Sequence, residues 1–266
     1  DIIKYMDSLL NRFDPSSAIG RINRLRPGQS MRIGVDLFEC LRLSVRIHQI
    51  TQGAFDITLG SLLEYGYDLL GKSIQKPFGR EFLPFDLSAS EEGFMIRIRD
   101  NAPEKTILDL GGIGKGFALD KTLEVLSDWD IDNVLIHGGT STALARGYAE
   151  GPLHGWSVGV GGDWKCPAMP VSIILHNRSL SGSGTDVKGK HIYDPKTGSP
   201  AEGHKSVWVA HPSAAFSDAL STSFMVMNTD QVTKFCKKNT DVWTFLVTPD
   251  EECLILNKDR VKTDEN

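Results

Sequence analysis

The sequence predicts an α+β fold of mixed, largely antiparallel sheets with helices packed on them. Two patterns lead there: apolar residues recur at helical spacing in several separate segments, and strand-like runs follow one another at uneven intervals, often with only a turn between them. A regular doubly wound order needs a crossover helix between parallel strands, and these spacings do not supply one. Of 266 residues, 40% are hydrophobic, 24% charged and 8% aromatic, which excludes disordered, collagen-like and coiled-coil chains. The length allows a substantial core, and residues 1–266 read as a single domain.

Ile2, Ile3, Met6, Leu9, Leu10 and Phe13 predict a helix over 2–13, broken by Asp14-Pro15-Ser16-Ser17. Asp36 as N-cap, with Glu39 three residues on, predicts a second helix whose stripe of Leu37, Leu41, Val45 and His48 ends before Gly53. His48 on that stripe reads as a core histidine. The stretch 71–90 reads as a surface excursion. Phe94, Ile96 and Ile98 alternate with Met95, Arg97 and Arg99, a strand with one wet face. Strand-like runs follow at 106–110, 132–137, 155–160, 170–175, 206–210, 242–247 and 253–256, with helical patterns at 115–128, 217–228 and 230–238. The polar residues 258–266 read as a frayed tail.

Lys+Arg 29 against Asp+Glu 34 gives a formal charge of −5, so no global basic field is available for nucleic acid or an anionic membrane surface. A phosphate-bearing ligand therefore needs local donors or a metal. No uncharged run approaches the roughly 18 residues of a membrane-spanning helix. The chain opens Asp1-Ile2-Ile3, so any signal peptide or anchor would precede it. Cys40, Cys166, Cys236 and Cys253 form no CxxC pair, which predicts free, mostly packed thiols.

Four segments could carry chemistry. In Leu108 to Ala118, a strand-like run enters the glycine-rich turn Gly111-Gly112-Ile113-Gly114-Lys115-Gly116 and then a helix. Bare N–H groups at a helix start favour an anion, and Lys115 adds a charge; a turn kept glycine-rich for packing alone is the plainer alternative. The spacing is neither GxGxxG nor GxxxxGK[ST]. Asp218 and Thr222, four apart, share one helical face, a pairing that suits Mg2+, though spacing alone favours the plainer reading of a first-turn dipole partner and a core residue. His191 and Tyr193 precede the turn Asp194-Pro195-Lys196-Thr197-Gly198, where a histidine can be held for proton transfer. Ile136-His137-Gly138-Gly139-Thr140 ends an apolar strand in a glycine pair that lets a ligand touch backbone; His137 there reads as structural.

Taken in order, these segments resemble the ApbE family of FAD:protein FMN transferases. The likeness runs through Ser17 to Asn23, Gly53 to Thr58, Asp109 to Ala118, Gly138-Gly139, Ser181-Gly182, His191 to Gly198 and Asp218 to Thr222. It implies an ApbE-like fold and an Mg2+-dependent enzyme that cleaves FAD, attaches FMN to a threonine of a target flavoprotein and releases AMP. By that resemblance Asp218, Thr222 and the Ala118 carbonyl hold Mg2+, and His191 is the catalytic base or orienting group. Lys115 and the backbone around Gly112 hold phosphate, Asp109 anchors a ligand group or the loop, and Phe55, Asp56 and Thr58 line the flavin side. Gly138, Gly139 and Ser181 complete the expected cofactor contacts. The family also implies export to the periplasm or cell surface, with a lipid anchor.

The sequence departs from the family in three places. The strand that usually precedes the first helix is missing or truncated, and Thr140 stands where Asp or Asn usually follows the glycine pair. The segment 183–190 is shorter than usual. Two other functions stay open at this point: an Mg2+-dependent FAD pyrophosphatase with water as acceptor, and a non-enzymatic flavin-binding domain.

Overall fold

A computed structural model describes residues 1–61, 83–149, 154–161, 172–184 and 191–263. The chain divides into two compact units, Asp1–Gly114 with Tyr193–Ser199 and Lys115–Ile192 with Pro200–Asn266.

The first unit contains helices α1 (Ile2–Leu10), α2 (Ala18–Ile22) and α3 (Val35–Ile50). Its strands β1 (Ser30–Ile33), β2 (Phe85–Ser90) and β3 (Gly93–Ile98) form an antiparallel sheet in the order β1-β3-β2. Helix α1 stops earlier than its apolar spacing predicts. Asn11 turns extended at the C-cap and its side-chain oxygen accepts the Phe13 N–H, so Phe13 leaves the helix and is exposed beneath the Arg12 guanidinium. Asp36 is not the N-cap of α3 either. Gly34 holds that place, and the Asp36 carboxylate sits in the first turn, complementing the helix dipole and accepting the Tyr5 hydroxyl at 2.9 Å. His48 is the core histidine expected, its Nδ1–H donating to the Phe55 carbonyl at 2.8 Å. Ile96 and Ile98 face inward, while Arg97 and Arg99 pair with Asp100 and Asp86 on the wet face.

Residues 106–110 look like a strand in sequence and do not pair as one. Their backbone is held mostly by side chains: Asn23 brackets Leu108, accepting its N–H at 2.8 Å and donating to its carbonyl at 3.0 Å, and the Ser61 hydroxyl accepts the Ile107 N–H, while the Asp109 N–H donates to the Ile57 carbonyl at 2.6 Å. A carboxamide has the donor and acceptor of a peptide unit, so it replaces a neighbouring strand. The apolar run is real, with Ile107, Leu108 and Leu110 buried.

The second unit is built on a six-stranded sheet in the order β11-β10-β9-β8-β5-β4. In chain order the strands are β4 (Val134–Gly138), β5 (Thr142–Arg146), β8 (Arg178–Gly184), β9 (Ser206–His211), β10 (Trp243–Val247) and β11 (Cys253–Leu256). A second sheet, β12-β7-β6, joins β6 (Trp156–Gly159), β7 (Ser172–Leu175) and β12 (Lys262–Thr263). All described pairings are antiparallel. Period-two alternation gives the large sheet two faces. Ala143, Ala145, Leu180, Ala210, Trp243 and Phe245 form an apolar cluster with residues of the smaller sheet, including Ile173 and Leu175. On the other face Leu144 meets Leu119 of helix α4 (Gly114–Ser127) and Ala214 of helix α5 (Ala214–Val226). Helix α6 (Thr229–Lys238) follows, closed at its start by a reciprocal Asn228–Gln231 capping box.

Two further expectations are corrected. The tail is not frayed throughout, because Lys262–Thr263 pairs with Ile173–Ile174 and Val261 is buried. Cys253 is disulfide-bonded rather than free, which no CxxC-type spacing announces. Cys40 and Cys236 are free and buried as expected, and burial pushes both thiols up, Cys236 to about 11, which leaves them unreactive. Cys166, the 185–190 segment and most of 71–90 lie outside the described residues; Phe85–Ser90 is strand β2.

His204 joins α5 to α6. Its Nδ1–H donates to the Phe224 carbonyl at 2.6 Å, which leaves a bare Nε2 to accept the Thr229 hydroxyl at 3.2 Å. Burial disfavours the charged ring and lowers its pKa from 6.5, against the opposing pull of the carbonyl. Below 6.5 the unfolded chain therefore binds a proton that the folded chain resists, so stability falls as pH drops through that window. Urea unfolding between pH 7.5 and 5 should show this loss, and His204→Gln should flatten that part of the profile.

Candidate functional site

The start of α5 is fixed by Asp120 of α4. Its carboxylate accepts the Ser213 hydroxyl at 2.7 Å and the Ala214 and Ala215 N–H groups at 2.8 and 3.0 Å. Two orphan N–H donors of the helix start and the N-cap hydroxyl are satisfied this way. Burial nonetheless raises the Asp120 pKa, against these bonds. One turn earlier, Gly116 lies directly against α5: a Cβ there would stand 2.1 Å from the Ala214 carbonyl oxygen. Only glycine permits this approach, so two helices meet backbone to backbone.

That contact sets the place of Asp218. Its carboxylate, 4% exposed, meets the beginning of α4, where Oδ2 accepts the Gly116 N–H at 3.0 Å. Lys115 Nζ straddles both oxygens at 3.1 and 3.3 Å. The Thr142 hydroxyl of β5 approaches Oδ1 at 3.5 Å. The glycine-rich turn thus does gather positive charge and an N–H donor, and within the chain they face this carboxylate.

A buried ladder of hydroxyls stands behind it. Ser179, Ser181 and Ser183 alternate onto one face of β8, and Ser217 and Ser221 stand one turn apart on α5. Ser217 Oγ lies 2.8 Å from both Ser179 and Ser181, Ser183 bonds Ser221 at 2.9 Å, and Ser181 donates to Thr142 at 3.3 Å. Sequence reasoning missed Thr142, Ser217, Ser221 and Asp120. The available signal was the alternation Ser179-x-Ser181-x-Ser183, which reads as a wet strand face until a helix with serines at i and i+4 covers it.

The other expected residues fall as follows. Thr222 is half-buried, its hydroxyl donating to the Asp218 backbone carbonyl at 3.3 Å. The Ala118 carbonyl accepts the Thr122 hydroxyl at 2.7 Å. Ser181 is fully buried and braces the carboxylate through Thr142 rather than reaching the surface. Gly138 ends β4 against Leu119, and Gly139, at φ +70, makes the tight turn into β5. His191 is exposed in an irregular segment.

Phe55, Asp56, Thr58, Asp109 and Gly112 belong to the first unit. There Phe55 and Thr58 are buried, and Asp56 accepts both the Thr58 N–H and hydroxyl, at 2.8 and 2.6 Å. Asp109 anchors its loop, accepting the Gly111 N–H at 2.8 Å and pairing with Arg12 at 3.0 Å. Gly112 lies in the turn that follows.

Among the described residues, no three His, Cys, Asp or Glu side chains cluster as a metal site. Asp218 nonetheless offers a carboxylate one helical turn from the Thr222 hydroxyl, both hard oxygen groups, while the Ala118 carbonyl is taken by the Thr122 hydroxyl. A cationic ammonium already rests on the carboxylate, so the position attracts positive charge. A carboxylate and a hydroxyl so placed fit Mg2+, which keeps several waters and takes its remaining ligands from a substrate's phosphates.

Fold and site together define the class: an α+β protein whose candidate centre is a buried helix carboxylate at the glycine-rich start of a second helix. The chain belongs to the ApbE family, whose model matches residues 1–246. The Haemophilus influenzae protein named FAD:protein FMN transferase is 25% identical over 262 residues, 90% of this chain and 74% of that one. The Escherichia coli K12 protein of the same name is 25% identical over 259 residues, 87% of this chain and 70% of the relative. Among solved structures, an ApbE protein from Thermotoga maritima superposes with a TM-score of 0.78 at 23% identity, covering 97% of this chain and 87% of its own. The apo form of the Pseudomonas stutzeri flavinyl transferase ApbE gives 0.74 at 21%, covering 96% and 83%. These structures support the α+β, antiparallel architecture.

Proposed function

We propose that this chain is an Mg2+-dependent FAD:protein FMN transferase that joins FMN to a threonine of a target flavoprotein and releases AMP. The observation that carries the reading is the buried Asp218 carboxylate, facing the Lys115 ammonium and the Gly116 N–H in a family whose curated relatives are named for this reaction. Asp218, Thr222 and the Ala118 carbonyl would hold the metal, which supplies charge neutralisation on the pyrophosphate. Backbone N–H groups of the glycine-rich turn and Lys115 would steady the phosphates. The acceptor threonine oxygen bonds to the FMN phosphorus as the bridging P–O bond breaks, and AMP leaves with the bonding pair. His191, exposed to an incoming protein, would take the threonine proton. The disulfide at Cys253 favours an oxidising compartment, consistent with an exported protein.

Incubation with FAD and a threonine-bearing acceptor should yield an FMN mass adduct and AMP in equal amounts with Mg2+, and neither with EDTA. AMP without adduct, across several acceptors, would instead indicate hydrolysis.

A further inference from the structure

We infer that Lys115 is a positioning residue acting through Asp218: it serves as the carboxylate's tethered counter-cation while no divalent cation is bound, and must release it when one binds. The inference rests on the proposed role of Asp218 as a cation ligand. Both carboxylate oxygens lie within 3.1 and 3.3 Å of one Nζ, so the ammonium straddles the group rather than touching a single corner. The carboxylate is almost fully buried, while the Lys115 side chain is 41% exposed. A buried carboxylate without a counter-charge is costly, and a half-exposed lysine supplies one without itself losing its hydration. The fixed donors, the Gly116 N–H and the Thr142 hydroxyl, are held in place by α4 and β5. Lys115 alone among these donors stands on a long flexible stem and can swing to solvent or to a phosphate.

An ammonium and a divalent cation on one carboxylate repel each other, so the Lys115 contact gives way when a cation binds. The device keeps α5 registered against α4 in the empty enzyme and frees an ammonium for the phosphates of the incoming nucleotide. It also weakens the affinity for free cation, which favours arrival of the metal together with its nucleotide.

The test is Mn2+ binding followed by electron paramagnetic resonance, without FAD, on the wild type and on Lys115→Met, Lys115→Arg and Asp218→Asn. Lys115→Met should bind Mn2+ about tenfold more tightly, since an ammonium–carboxylate contact of this kind must otherwise be broken. Lys115→Arg should keep or deepen the weak affinity, and Asp218→Asn should lose binding. A lysine that mattered only to packing would give weaker Mn2+ binding in the Met variant. In the unmutated protein, acylation of Lys115 read by mass spectrometry should rise when Mg2+ is added, a measurement that does not depend on any variant folding. Equal or weaker Mn2+ binding by Lys115→Met, or Lys115 labelling unchanged by Mg2+, overturns the inference while the metal role of Asp218 stands. Unchanged binding in Asp218→Asn removes both.

Discussion

Asp218→Asn should lower FMN transfer by about a thousandfold, the order expected when a single group that holds a catalytic cation loses its charge. The asparagine oxygen can still accept the Gly116 N–H, and Lys115 is exposed enough to turn to solvent, so the variant should fold and melt near the wild type. Asp218→Ala should be equally inactive but less stable. It strands the Gly116 N–H and the Thr142 hydroxyl, each worth about 1–3 kcal/mol when left without a partner in the interior. Adduct mass against time, with melting curves on both variants, separates the two effects. Transfer within tenfold of wild type in the asparagine variant would sink the proposed role of this carboxylate.

The second large effect is expected from the smallest side chain at the centre. In Gly116→Ala the new methyl would stand 2.1 Å from the Ala214 carbonyl oxygen and 2.4 Å from its carbon, both backbone atoms that cannot rotate away. The helices must separate, which takes the Asp120 carboxylate off the start of α5 and the Gly116 N–H off Asp218. A cost of about 3 kcal/mol or more follows from forced overpacking. In a chain of this size that lowers Tm by about 6–12 °C. Transfer should fall further than stability, because the residual folded protein has its carboxylate displaced. Gly139→Ala is the informative contrast. Its φ of +70 is strained for alanine, yet nothing lies within 4 Å of the added carbon, so about 1–2 kcal/mol and an unshifted Asp218 are expected. If Gly116→Ala melts like Gly139→Ala, the helix contact is not as close as described.

How much of this was legible beforehand varies from element to element, for physical reasons. The helices at 115–128, 217–228 and 230–238 and the strands at 132–137, 206–210, 242–247 and 253–256 reappear within a few residues, because their apolar periodicity is strong and local. Strand β8 was not read as a strand. Its alternate positions are serines, which look like a solvent face, and only the matching serines of α5 make that face dry. The run 106–110 failed in the opposite way, since its apolar residues are buried but its hydrogen bonds go to Asn23, Ser61 and the Ile57 carbonyl rather than to a strand. Asp36 satisfied the capping pattern and was outdone by Gly34, with its carboxylate bound to a tyrosine 31 positions away.

The candidate site divides along the same line. Lys115, Gly116, Asp218 and Thr222 could be picked out singly, as a charge beside glycines and as oxygens four apart on a helix. The residue types, the helical faces and the family were determined by the sequence alone, because each depends on order and spacing along the chain. That the Lys115 ammonium sits on Asp218, that Gly116 lets two helices touch, and that Ser181 braces rather than lines the site were decided only by tertiary structure. These contacts join residues up to 103 positions apart. Nothing local encodes such a meeting; it follows from the packing of α4 and α5 on one face of the sheet, where burial makes every polar group find a partner.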